Sequence, residues 1–386
     1  MPATGSKTGK GEGMRSESGN SRPVQGYPTP WLAAQAQDAD QWIRELSDAE
    51  RQGLLLGLEA FESSGTPLSM ATGDDFPFRN LAQLKADIEA TLYRHLGFIV
   101  LRGMPLEGLT VERIEALYWG FCNHLGVLRP QGQDSGLIKS VRDAGGNYRS
   151  ASGRGYNTSA ELDFHTDFAD LVGLLCINTA QSGGLSRISS SQAVRAAMER
   201  EAPQLVRALF EPIYYSRQGE ESPHERPYYR TPIFSERDGW FSCRYTRNHI
   251  RYAHRFEGVP HPWDEQIAAM DLLDKTVVEP DFVLEMSLQP GDMQILNNHV
   301  ILHSRTAYTD HEEEARKRHL LRAWIANPGS QPLDPLLEEA YHDVRPGAVR
   351  GGIIGQAFDM DKAAYTRKAA AYHGMPQKSA PEPEDP

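Results

Sequence analysis

Leu81, Leu84, Ile88 and Leu92 recur at intervals of three and four after Asn80, a spacing that predicts a helix with one apolar face. Gly97 stands where such a helix stops. Phe98-Ile99-Val100-Leu101 follows, a short apolar run before Arg102-Gly103 that reads as a buried strand. Ile114, Leu117, Phe121 and Leu125 repeat the helical spacing from about Thr110, and core packing accounts for them. From Leu137 the apolar runs shorten: Leu171–Ile177, Val283–Leu288 and Met293–Leu296 are broken by Gly, Ser, Asn and Pro. Gln289-Pro290-Gly291-Asp292 is a turn, because Pro presets φ and Gly accepts a positive one. Ser191–Phe210 and Pro262–Lys275 have helical character, so a helical insertion over about 191–280 interrupts the strands. Beyond Pro332 the stretches LDPLLEEAYHDV and AAYTRKAAAY return to helix, a C-terminal extension over about 331–376. The expectation is a mainly β fold with α insertions, of sandwich or jelly-roll type, in one domain spanning 27–376. The polar tails 1–26 and 377–386 are expected to be disordered.

Composition narrows the function classes. The 386 residues are 39% hydrophobic and 24% charged, an ordinary globular balance. The formal net charge of −12 argues against nucleic acid, whose binders need a basic surface. Cys122, Cys176 and Cys243 are odd in number and far apart, which disfavours a disulfide framework or a zinc–thiolate site. Met1–Arg22 lacks the apolar core of a secretory signal. No apolar run approaches the roughly 20 residues that span a bilayer. The expectation is a cytoplasmic protein acting on a small molecule, with no membrane or nucleic-acid partner; self-association is left open.

The chemistry-bearing segment is Glu161-Leu162-Asp163-Phe164-His165-Thr166-Asp167. On an extended strand His165 and Asp167 point the same way and can share a metal. With one more histidine they form a facial triad that leaves three positions of an octahedral Fe(II) open. The HxD pair carries little weight alone. A second segment, Asn297-Asn298-His299-Val300-Ile301-Leu302-His303-Ser304-Arg305-Thr306, offers His303 and its rival His299. Arg318 and Arg322 follow in Arg318-His319-Leu320-Leu321-Arg322-Ala323-Trp324. A planar guanidinium grips a carboxylate through two parallel hydrogen bonds, as a dicarboxylate co-substrate requires. His319, between the arginines, faces away from both on a strand and reads as structural. Glu161 and Asp163 share the parity of His165: solvent-facing acids on the plain reading, or, for Glu161, recognition of a substrate amine. Arg226-Pro227-Tyr228-Tyr229-Arg230 is either a lid or wall of the pocket or an exposed loop.

Phe98–Gly103, Phe164–Asp167, Ser182–Ser186, Pro290–Asp292, Asn297–Thr306 and Arg318–Trp324 stand in one order across roughly residues 95–330. In that order the chain resembles the TauD/TfdA (taurine dioxygenase-like) family of Fe(II)/2-oxoglutarate oxygenases, within the clavaminate-synthase-like group. The resemblance implies a double-stranded β-helix (jelly-roll) core flanked by helices. It implies His165, Asp167 and His303 as iron ligands, with His303 preferred to His299. Arg318 matches the residue that takes the distal carboxylate of 2-oxoglutarate. Arg322 matches one that meets either substrate or co-substrate, and Ser186 stands where the family has a Thr on 2-oxoglutarate. The place of Glu161 lies near bound substrate in the family. The implied cofactors are Fe(II), 2-oxoglutarate and O2, and the implied reaction is oxidation, most often hydroxylation, of an unactivated C–H. Asp167 speaks against a halogenase, which leaves that position vacant. The alternatives are a metal oxygenase of the same fold without 2-oxoglutarate and a non-catalytic binding protein. The triad and both arginines weigh against them.

Overall fold

The two longest strands alternate their side chains between two environments, and that alternation organises the fold. A computed structural model describes residues 27–146, 150 and 155–378. The expected tail 1–26 and residues 379–386 of the expected C-terminal tail lie outside the described residues. Lys378, within that second tail, is described and pairs with Glu338. In chain order the principal strands are β1 (Ile43–Glu45), β2 (Phe98–Arg102), β3 (Val127–Arg129), β4 (Ile138–Val141), β5 (Leu162–His165), β6 (Leu171–Asn178), β7 (Ser186–Ser190), β8 (Leu284–Met286), β9 (Met293–Asn297), β10 (Ile301–Arg305) and β11 (His319–Ala326). A seven-stranded sheet runs β1-β2-β9-β6-β11-β3, with β4 also paired to β11. A four-stranded sheet runs β8-β7-β10-β5. Every pairing in both is antiparallel except β1 with β2.

On β6 and β11, Val172, Leu174, Leu320, Arg322 and Trp324 face a cavity that the smaller sheet also lines. Leu171, Leu175, Leu321, Ala323 and Ile325 point the other way, into a core built with helices. The helix Ala82–Arg94 brings Leu84, Ile88 and Leu92 to that core, and Val111–Leu125 brings Ile114, Leu117, Phe121 and Leu125. Each of these buried apolar side chains stabilises the fold by about 1.5–3 kcal/mol. The helix Asp48–Ser64 joins them through Leu54, Leu58 and Phe61. The apolar spacing did not single it out, but its start is written in Ser47 and Glu50, which form a reciprocal capping box. The Pro-Gly-Asp turn is fixed at both ends. Asp292 accepts from the backbone N–H of Gln289 (3.0 Å) and takes two parallel bonds from Arg102 (3.0 Å each). Gly291 adopts φ +85°, and a Cβ there would lie 3.0 Å from the carbonyl oxygen of Met104.

The insertion is mixed rather than helical. The expected helix over 191–210 is two, Ser191–Glu201 and Pro203–Ala208, because Pro203 has no N–H to continue the first. Two short hairpins follow, Ile213–Ser216 with Tyr228–Thr231 and Phe234–Arg237 with Trp240–Cys243. The helix expected over 262–275 spans Asp264–Val277. In the C-terminal extension the helices are Glu338–Tyr341 and Met360–His373. Among the described residues no helix is long and apolar enough to cross a membrane.

Candidate metal centre

Strand pairing sets two of the three candidate ligands face to face. His303 on β10 lies opposite His165 at the end of β5, and their ring centroids are 4.3 Å apart. Asp167 sits just past β5, in a turn whose Asp167–Ala169 part is held by the Asn298 side chain. Asn298 accepts from the Asp167 N–H (2.9 Å) and donates to the carbonyls of Asp167 (2.7 Å) and Ala169 (2.9 Å). One ligand atom each from His165, Asp167 and His303 falls within 4.8 Å of the others, and this is the group of metal-ligating side chains found among the described residues.

The surroundings set the state of His165 and of Asp167. The carbonyl of Asp163 lies 2.8 Å from His165 Nδ1, so that nitrogen donates and Nε2 keeps its lone pair. Burial, with the neighbouring His303 imidazole, pushes His165 down to about 4, which keeps the ring neutral. Burial works to raise the Asp167 carboxyl. Arg322 outweighs it, with the hydrogen bond and charge of His303, and holds the group well below the usual carboxylate range. Asp167 Oδ2 lies 2.9 Å from the Trp324 indole N–H and 3.4 Å from Arg322 Nη1. Two imidazoles and one ionised carboxylate are a donor set that fits Fe(II) and leaves open positions.

The cavity above this group has a volume of about 150 Å³. Ser186, Arg318 and Arg322 line it with the three candidate ligands. Ser186 Oγ donates to Gln294 Oε1 (3.1 Å). Arg322 Nε donates to Gln131 Oε1 (2.8 Å), and its guanidinium lies 4.8 Å from the Trp324 ring. Arg318 is 6% exposed, and burial lowers its pKa. Its room comes from Gly184, at φ +70°, where a Cβ would come within 3.1 Å of Arg318 Nε.

Other readings land elsewhere. His299 is fully buried against Asp170 (2.8 Å), which also binds Arg350 (2.7 Å) and the Asn327 N–H (3.0 Å). It belongs to that network and not to the metal group. His319 meets Ser140 Oγ at 2.8 Å. Glu161 is not on the cavity. The β5–β10 register slips between His303/His165 and Arg305/Leu162, and this bulge inverts parity. Leu162 therefore turns inward, while Glu161 turns out to pair with Arg187 at 2.5 Å. The Tyr-rich segment is no lid, since Tyr228–Thr231 is a strand and Tyr229 stacks on Tyr215 with ring centroids 5.1 Å apart.

The insertion contributes a wall that no sequence pattern disclosed: Gln218, Glu220, Arg244, Thr246, Asn248 and His249. Within it Arg244 reaches the link between His165 and Asp167. Arg244 Nη1 donates to the carbonyl of Thr166 (2.7 Å), the residue between two candidate ligands, and to Thr246 Oγ1 (2.9 Å). Nη2 donates to Tyr229 Oη (2.9 Å).

The model of the taurine catabolism dioxygenase TauD, TfdA family matches residues 63–324, which takes in both sheets from β2 almost to the end of β11 and all three candidate ligands. The chain belongs to that family. It is therefore a dioxygenase by descent. It is 33% identical over 308 residues to FR-33289 synthase of Streptomyces rubellomurinus (strain ATCC 31215), covering 79% of this chain and 90% of that one. It is 26% identical over 339 residues to the taurine hydroxylase-like protein SAT17 of Stachybotrys chartarum (strain CBS 109288 / IBT 7711), covering 81% and 84%. Among solved structures, asparagine oxygenase in complex with Fe(II), 2S,3S-3-hydroxyasparagine and succinate superposes with a TM-score of 0.57 at 17% identity, covering 74% of this chain and 93% of that one. The non-heme iron oxygenase OrfP in complex with Fe, succinate and (3S)-hydroxy-L-Arg gives 0.54 at 16% identity, covering 73% and 94%. The double-stranded β-helix core of this TauD-family chain is the fold it shares with them.

Proposed function

We propose that this TauD-family dioxygenase oxidises an unactivated C–H of a small molecule, most directly by hydroxylation, with Fe(II), 2-oxoglutarate and O2. His165, Asp167 and His303 hold the iron. One observation carries the reading: a cavity-lining arginine, Arg318, whose buried Nη1 has no partner, shares one pocket with a two-histidine, one-carboxylate group. Bound iron supplies the activation of O2 that couples conversion of 2-oxoglutarate to succinate and CO2 with oxidation of the substrate.

The chain's own part is placement. The Asp163 carbonyl fixes the His165 tautomer, and Trp324 and Arg322 keep Asp167 ionised and aimed. Arg318 takes the distal carboxylate of 2-oxoglutarate, and Ser186 lines the wall beside it. Arg322 faces an anionic group next to the metal, whether of substrate or co-substrate. The insertion wall, Gln218 to His249, meets the substrate and excludes water. One catalytic domain over 27–376 suffices. Three buried free thiols suit a reducing cytoplasm, and the net charge of −12 suits a small-molecule partner over nucleic acid.

The test is succinate release by Fe(II)-loaded protein under O2, screened against small molecules for stimulation. Stimulated release that His303→Ala abolishes is expected. A protein that yields no succinate and shows no visible charge-transfer absorption with Fe(II) and 2-oxoglutarate in the absence of O2 refutes the reading.

A further inference from the structure

Arg318 does not stand alone at its end of the cavity. Arg305, on β10 two residues past His303, also lines it. The Tyr308 ring lies against both guanidinium groups, 4.8 Å from that of Arg305 and 5.0 Å from that of Arg318. All three residues are buried, at 6%, 6% and 8% exposure. Arg305 uses Nη2 to donate to the carbonyls of Thr158 (2.8 Å) and Ala160. Arg305 Nε and Nη1, Arg318 Nη1 and Tyr308 Oη are buried with no hydrogen-bond partner.

Neither arginine pairs with an acid among the described residues. The nearby Asp310 carboxylate is engaged by the Arg318 backbone N–H (2.7 Å). The undescribed stretches 147–149 and 151–154 contain no acid in their sequence. Two adjacent buried cations with spare donors form a costly arrangement unless an anion completes it. Four free donor atoms match the roughly four lone-pair sites of one carboxylate. Ser186, the hydroxyl expected to assist Arg318, has its hydrogen turned to Gln294.

We propose that Arg305 and Tyr308 bind the distal carboxylate of 2-oxoglutarate together with Arg318, as a two-arginine clamp that makes the site select a 2-oxo diacid over a 2-oxo monoacid. The inference rests on the 2-oxoglutarate reading above and adds two residues to it.

The experiment titrates Fe(II)-loaded protein without O2, following the visible charge-transfer absorption, with 2-oxoglutarate and with 2-oxopentanoate, which has the same carbon count but no distal carboxylate. Wild type is expected to prefer the diacid by about a hundredfold or more. Arg305→Gln weakens 2-oxoglutarate by roughly tenfold to a hundredfold and leaves 2-oxopentanoate unchanged. Tyr308→Phe, which removes one oxygen and leaves the Thr158 and Ala160 contacts in place, weakens only the diacid, by about threefold to tenfold. Equal loss for both acids, or no loss for either in the two variants, overturns the clamp. If Arg305→Gln does not fold, Tyr308→Phe decides. A wild type that does not discriminate between the acids overturns the 2-oxoglutarate reading as well, which separates the two failures.

Discussion

Replacing Asn298 with Ala tests whether one buried amide holds the turn that carries Asp167. The side chain is fully buried and makes three hydrogen bonds, one accepted from Asp167 N–H and two donated to the carbonyls of Asp167 and Ala169. Alanine strands all three backbone partners. An unsatisfied buried group costs about 1–3 kcal/mol, and carbonyls with a second lone pair cost towards the lower end. Three such losses come to about 3–5 kcal/mol once the turn relaxes part-way into the cavity. Urea unfolding of the metal-free protein, followed by fluorescence, measures this directly. Asn298→Asp is the comparator: it still accepts from Asp167 N–H but cannot donate. It also places a second carboxylate beside Asp167, so it falls at least as far as alanine. Fe(II) affinity, measured without O2, drops at least about tenfold in both. A loss below about 1 kcal/mol in Asn298→Ala, with unchanged Fe(II) affinity, would falsify the claim that this amide positions Asp167.

Trp324→Phe keeps an aromatic ring and removes the indole donor to Asp167 Oδ2; Fe(II) binding weakens by about tenfold to a hundredfold by calorimetry, and an unchanged affinity removes the indole from the site. Gly184→Ala forces a non-glycine residue to φ +70° and crowds Arg318 Nε. It costs about 1–3 kcal/mol in thermal unfolding and loosens 2-oxoglutarate; a stable variant with normal affinity contradicts the packing argument. Burial lowers the pKa of His124, His299, His319 and His373 in the folded chain. As pH falls through about 6.5 the unfolded chain takes up these protons first, so stability present above that pH is lost below it. The slope reaches at most about 1.4 kcal/mol per pH unit for each histidine. Urea midpoints should therefore fall between pH 7.5 and 5.5, and a flat or rising profile contradicts burial of neutral rings.

Period and punctuation made the scaffold legible. The i, i+3, i+4 spacing of Leu84, Ile88 and Leu92 and the turn at Pro290–Asp292 are local statements, and the fold keeps them. The candidate ligands were legible because two of them sit two residues apart, His165 at the end of β5 and Asp167 just past it. What the sequence concealed depends on pairing between distant segments. Glu161 shares parity with His165 only on a regular strand, and the bulge that breaks it is a property of β5 against β10. His299 and His303 stand four residues apart in one segment, and only the third dimension gives His299 to Asp170. Arg244 and its neighbours in the insertion carry no periodic signal, because their role is set by what they touch 78 residues earlier in the chain.

That contact has a bearing on redesign. Arg244, Tyr245 and Thr246 bind Thr166 through both its backbone and its hydroxyl, so the segment that lines the cavity is bolted to the link between the candidate ligands His165 and Asp167. Grafting a foreign loop across residues 244–246 would shift the proposed metal centre along with the cavity wall. Exchanges confined to the 217–225 stretch, or to Asn248 and His249, would alter what is admitted while leaving that joint whole.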